Sequence, residues 1–175
     1  MRAALPLLLL AACGPSLSQV KQYAEARQLQ PDAPVHADAS IEIEAPIEQV
    51  WAVFSDIGAW PDWNDDAKGA RLTGWLQAGT PFEYGGPAKH ELRLEVVEPP
   101  KFLAFYGTFA GYVGVTLWSF EALSPLKTKV VARESNDGFM ISLFYGNRAL
   151  RDHLTLWTTR LKTESERQFA ASTKH

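Results

Sequence analysis

His90 and Glu134 are the side chains whose types and predicted facing could support acid–base chemistry. His90 falls in an alternating stretch, 89–97, where Glu91, Arg93 and Glu95 take the water side and turn His90, Leu92, Leu94 and Val96 inward. Glu134 falls in a second such stretch, where Lys129 and Arg133 face out and Val130, Ala132 and Glu134 face in. A histidine and a carboxylate on one apolar wall can act as general base and orienting partner, because burial moves both pKa values toward the working range. The competing reading puts both at strand ends by a cavity mouth, wet and structural. Other chemistries find less support. His36, His153 and His175 are scattered without metal-ligand spacing and Cys13 is the single cysteine, so no metal is indicated. There is no Gly-x-Ser-x-Gly elbow, and Gly85-Gly86-Pro87 lacks the lysine and helix of a phosphate loop. No cofactor is indicated.

The elements that would position these residues follow from periodicity. In 141–169, Leu143, Leu150, Leu154, Trp157 and Leu161 fall at helical spacing, with Arg148, Arg151, Asp152, Thr155, Thr159 and Lys162 on the other side. Gly146-Asn147 interrupts this pattern, so the helix proper can begin at Asn147 and leave 139–145 as a gate over a cavity. Upstream, Ile41 and Ile43 alternate with Glu42 and Glu44 as a half-buried strand. Pro46 opens a helix striped by Ile47, Val50, Trp51, Phe54 and Ile57, and Trp60-Pro61-Asp62-Trp63-Asn64 predicts a short helical turn. Six extended segments follow, near 68–76, 81–84, 89–97, 103–109, 113–123 and 129–135, with glycine and proline at the breaks. Connections this short require sequential antiparallel pairing. The order predicts an α+β domain, a sheet wrapped around one terminal helix.

Composition is that of one domain with a real core: 175 residues, 46% hydrophobic and 21% charged. A formal net charge of -3, without basic runs among aromatics, argues against nucleic acid as a partner. Six Trp, five Tyr and nine Phe are enough large rings to line a cavity as well as a core. Strand alternation puts Thr116, Trp118 and Phe120 inside, with Leu103, Phe105 and Phe109 completing the wall. The predicted ligand wall is Trp63, Tyr84, His90, Leu92, Leu94, Phe105, Thr116, Trp118, Phe120, Glu134, Leu154 and Trp157. Its polar contacts are His90, Thr116 and Glu134, with the Tyr84 hydroxyl.

A family resemblance rests on several pieces in order: Ala45-Pro46-Ile47-Glu48-Gln49-Val50-Trp51, Trp60-Pro61-Asp62-Trp63-Asn64, Val97-Glu98-Pro99-Pro100-Lys101-Phe102-Leu103, Trp118-Ser119-Phe120-Glu121, and Thr128-Lys129-Val130 leading to Glu134 and Gly138. Together these resemble the SRPBCC superfamily over 36–169, the helix-grip group that includes START lipid-transfer domains, the birch pollen allergen family and polyketide cyclase/dehydrase-like proteins. The resemblance implies a seven-stranded antiparallel sheet curled around the C-terminal helix, β-α-α-β6-α, with a cavity for a hydrophobic small molecule. It implies no fixed catalytic set, and fold alone does not choose among the members' roles.

The N-terminus carries an address. Arg2 precedes an apolar run, 5–12, too short to span a bilayer, and Leu10-Ala11-Ala12-Cys13 resembles the lipobox of bacterial lipoproteins. That resemblance implies cleavage before Cys13, acylation of its thiol and amino group, and a membrane-anchored protein of the bacterial cell envelope. The expected division is 1–12 signal peptide, 13–39 lipidated cysteine and flexible tether with at most a marginal helix, and 40–170 globular domain. The expected role is binding or transport of a hydrophobic small molecule or lipid beside a membrane. One alternative is an enzyme of cyclase/aromatase or hydratase type using His90 and Glu134 on a polyketide-like substrate. Another is a cavity filled by its own rings, in a domain serving as an interaction module. Nothing in the sequence indicates an oligomeric state.

Overall fold

The computed structural model describes residues 15–85, 90–109, 111–138 and 141–173. Seven strands form one antiparallel sheet in the order β1-β7-β6-β5-β4-β3-β2. They are β1 Val35–Ile43, β2 Arg71–Leu72, β3 Pro81–Tyr84, β4 His90–Glu98, β5 Phe102–Phe109, β6 Tyr112–Ser124 and β7 Lys127–Asp137. Strands β2 to β7 pair in chain order, as their short connections require. The first strand then pairs with the last, setting Ala37 opposite Glu134 and Ile43 opposite Thr128. Helices α2 Ile47–Ser55 and α3 Trp60–Trp63 close one end of the curved sheet, and α4 Ile141–Phe144 leads into the long α5, Asn147–Ser172. This is the expected seven-stranded sheet curled around a C-terminal helix.

Helix α5 buries Leu150, Leu154, Trp157 and Leu161 against the concave face. Each of its three buried leucines contributes about 1.5–3 kcal/mol by leaving water. Polar contacts fix its long axis along β1. The His36 amide donates to Asn147 Oδ1 at 2.9 Å, Lys162 Nζ donates to the Glu42 carbonyl at 2.7 Å, and the Glu44 amide donates to Glu166 Oε1 at 2.8 Å. Leu143, expected on the same stripe, is 68% exposed. The extended backbone of Gly146, at the N-cap of α5, breaks the helical register between them.

Rings dominate the core. Phe54 of α2 packs against Trp118 at 4.5 Å, Phe120 at 5.3 Å and Trp60 at 5.6 Å between ring centroids. Trp60 satisfies its indole by donating to the Phe54 carbonyl at 2.7 Å, which locks α3 onto the end of α2.

Three elements differ from expectation. The segment expected over 68–76 pairs only at Arg71 and Leu72, because Gly74, at φ 131, carries the chain out of the ladder. In β4 the register shifts between Leu94 and Val96. That bulge turns Val96 to the outer face and brings Val97 to the inner core instead.

The largest difference lies in the expected tether. Strand β1 already begins at Val35, and ahead of it α1, Leu17–Glu25, docks on the outer face of the sheet. Ser16 and Gln19 close a capping box at its start. Val20 and Ala24 are fully buried against Phe102, Ala104, Tyr106, Val115 and Leu117. Lys21 pairs with Glu95 at 3.2 Å, while Arg27 pairs with Glu98 and lies 5.1 Å over the Phe102 ring. Beyond the helix, the Gln30 amide donates to Ser135 Oγ at 3.0 Å and fastens the segment to β7. A nine-residue helix is marginal alone. Here an apolar face on the far side of β5 and β6 stabilises it.

Candidate functional site

Glu134 sits on the concave face of β7 with 8% of its surface exposed. Directly across the ladder, Thr116 of β6 donates its hydroxyl to Glu134 Oε2 at 3.0 Å. Two residues along β7, Asn136 Nδ2 donates to Oε1 at 2.8 Å. Gly114 stands opposite Asn136, and a Cβ there would come within 2.1 Å of the amide oxygen. The glycine therefore makes the room that lets Asn136 reach the carboxylate.

Around this carboxylate the walls are aromatic. Trp118 and Thr116 come from β6, Phe105 from β5, Tyr84 from β3, Trp60 from α3, and His153, Leu154 and Trp157 from α5. They line a cavity of about 10 Å³, the room one water molecule needs. Trp157 stands edge-on to Trp60 with centroids 5.1 Å apart and to Trp63 at 6.0 Å, and its ring lies 5.5 Å from Tyr84. The indole nitrogens of Trp157 and Trp63 are buried and find no hydrogen-bond acceptor among the described residues.

Burial and the Glu134 carboxylate dominate the electrostatics of the described tyrosines around the site. Burial, then the Glu134 charge, pushes the Tyr84 hydroxyl well up. The same causes raise Tyr112 to about 12, and they raise Tyr145 as well. His90 is lowered to about 4, first by burial and then by His153. His90 packs against Tyr84, ring centroids 4.7 Å apart, and the hydrogen bonds on Glu134 come from Thr116 and Asn136. The expected base-and-orienter pair is not assembled in this conformation.

Of the predicted wall, Tyr84, Phe105, Thr116, Trp118, Glu134, Leu154 and Trp157 line the cavity. Leu92, Leu94 and Phe120 are buried in the surrounding core, Trp63 stands behind Trp157, and His90 behind Tyr84. Trp60 and His153 line the cavity without having been assigned to it, and Asn136, Tyr112 and Tyr145 join the surroundings of the carboxylate. Cys13, the Phe109 side chain and positions 139–140 of the expected gate lie outside the described residues.

A curved antiparallel sheet closing on a long helix, with a polar point inside an aromatic cavity, is the helix-grip architecture of START-like proteins. Residues 34–166 match the family described as polyketide cyclase / dehydrase and lipid transport, and the chain belongs to that family. Solved structures share the fold. A hypothetical protein from Helicobacter pylori is similar with a TM-score of 0.65 at 15% identity, over 77% of this chain and 90% of that one. A START superfamily protein from Mycobacterium smegmatis has a TM-score of 0.65 at 14% identity, over 76% and 98%. The di-domain ARO/CYC StfQ from the steffimycin biosynthetic pathway has a TM-score of 0.60 at 16% identity, over 75% of this chain and 44% of that one. No curated protein matches the chain.

Proposed function

We propose that this protein binds and carries a hydrophobic or amphipathic small molecule in the space between sheet and α5, while tethered to a bacterial envelope membrane through a lipid on Cys13. The observation that carries the binding half is Glu134: a buried carboxylate with two hydrogen bonds, facing a cavity beside an indole N–H without an acceptor. A core built only for packing gains nothing from such groups, since each unsatisfied buried polar atom costs about 1–3 kcal/mol. A guest that meets them recovers that cost. The cavity has a volume of about 10 Å³, so a guest larger than a water molecule requires a wall to move. The short α4 is the natural element: four residues long, with Ile141 buried, Leu143 exposed, and the Tyr145 amide bonded to the Ile141 carbonyl at 2.7 Å. The tether rests on the lipobox-like Leu10-Ala11-Ala12-Cys13. Carriage is favoured over catalysis because the described hydrogen bonds on Glu134 come from Thr116 and Asn136, neutral groups that hold the carboxylate in place.

A second reading, that the rings fill the interior and the domain is an interaction module, draws on the cavity volume of about 10 Å³. Native mass spectrometry of the full chain, extracted from bacterial membranes in which it was produced, separates the two. The first reading expects a mass corresponding to a triacylated cysteine plus a noncovalent small-molecule adduct. A bare, unlipidated polypeptide without adduct would remove it.

A further inference from the structure

We infer that the guest of this cavity is an amphipathic amine, its protonated nitrogen held on Glu134 and its apolar body laid between the tryptophan rings. The inference rests on the cavity reading above and names its ligand class. Among the described residues that line the cavity, Glu134 is the one acidic group, and no lysine or arginine accompanies it. No described basic side chain lies within ion-pairing distance of its carboxylate; the two hydrogen bonds it accepts, from Thr116 and Asn136, come from neutral donors. A carboxylate has about four acceptor positions, and hydrogen bonds from described residues take two of them. A hydroxyl would fill one and leave the charge uncompensated. An ammonium brings the opposite charge together with up to three donors.

The walls agree with the charge. Trp60, Trp118, Trp157 and Tyr84 surround the same space, and the faces of such rings attract cations, most strongly when water is excluded. His153 and Tyr84 are the other titratable side chains on the wall, and burial keeps the Tyr84 hydroxyl protonated. His90, just behind Tyr84, is held neutral by burial. Neither Tyr84 nor His90 opposes an incoming cation near neutral pH. A carboxylate guest, by contrast, would bring a second acidic group against Glu134 between aromatic walls.

Three probes of one chain length test this: n-octylamine, n-octanol and octanoate, titrated into the full chain and followed by calorimetry and tryptophan fluorescence. Octylamine should bind at least about tenfold more tightly than octanol, octanoate should not bind, and Glu134→Gln should bring amine and alcohol to equal affinity. Octanol binding as well as octylamine, or octanoate binding at all, overturns the amine while leaving the cavity reading in place. Binding of none of the three overturns both. The ranking on the unaltered protein decides the matter even where the variant fails to fold.

Discussion

Thr116 and Glu134 face each other across the ladder of β6 and β7, and the threonine hydroxyl donates to the glutamate at 3.0 Å. Both are almost wholly buried, so water cannot replace the donor once it is gone. Thr116→Val keeps the shape and deletes the bond. It should cost about 1–3 kcal/mol of stability, because the carboxylate left short of a donor bears the desolvation cost. Urea denaturation of the two proteins checks this. The double variant Thr116→Val with Glu134→Leu should recover part of the loss, and a further fall would show that the bond matters little.

Trp157 tests whether the interior can hold a guest at all. Trp157→Ala should destabilise the fold by about 3–5 kcal/mol and leave a void lined by Trp60, Trp118 and Tyr84. Added indole should return part of the lost melting temperature, as binding to the folded state alone requires. No recovery at saturating indole would mean that the walls collapse and that the space is not retained.

His90 sets a pH dependence with a defined sign. Its folded pKa is lowered from 6.5 to about 4 by burial and by His153, so the unfolded chain binds the extra proton first as pH falls. Stability is therefore fully present above 6.5 and is lost progressively as pH drops toward about 4. His90→Phe should flatten the slope of unfolding free energy against pH within that window, measured by denaturant titration at several pH values. An unchanged slope would assign the acid sensitivity elsewhere.

Helix α1 makes a prediction about solubility. Val20→Asp places a charge at a fully buried position against Leu117, Val115 and Tyr106, which should release the helix. The uncovered sheet face should then bind a hydrophobic dye and promote self-association, read by fluorescence and light scattering, while the near-ultraviolet signal of the inner rings persists. Loss of both signals together would mean that α1 is integral to the fold.

Much of this architecture was legible in the residues, and the failures are instructive. Alternation placed Thr116, Trp118, Phe120, Val130, Ala132 and Glu134 on the inner face correctly because β6 and β7 keep their register through those positions. The same rule misplaced Val96, since a bulge after Leu94 shifts every later side chain by one face. The docked α1 was missed because its own apolar stripe is only Val20 and Ala24. The missing signal lay elsewhere, in Phe102 to Tyr106 and Val113 to Leu117, runs apolar on both faces that require cover on both sides. The sequence places Trp60 in a short helical turn and gives His153 no metal-ligand spacing. Both line the cavity because α3 and α5 meet there, a tertiary fact that no local pattern encodes.

The docking of α1 would also fix the reach of a lipid anchor placed on Cys13. Four peptide steps separate Cys13 from Leu17, where the helix already grips the sheet, and four extended steps reach about 14 Å at most. A protein acylated at Cys13 would ride close against its bilayer, with one flank held toward the lipid, and could exchange cargo only with what comes to that surface.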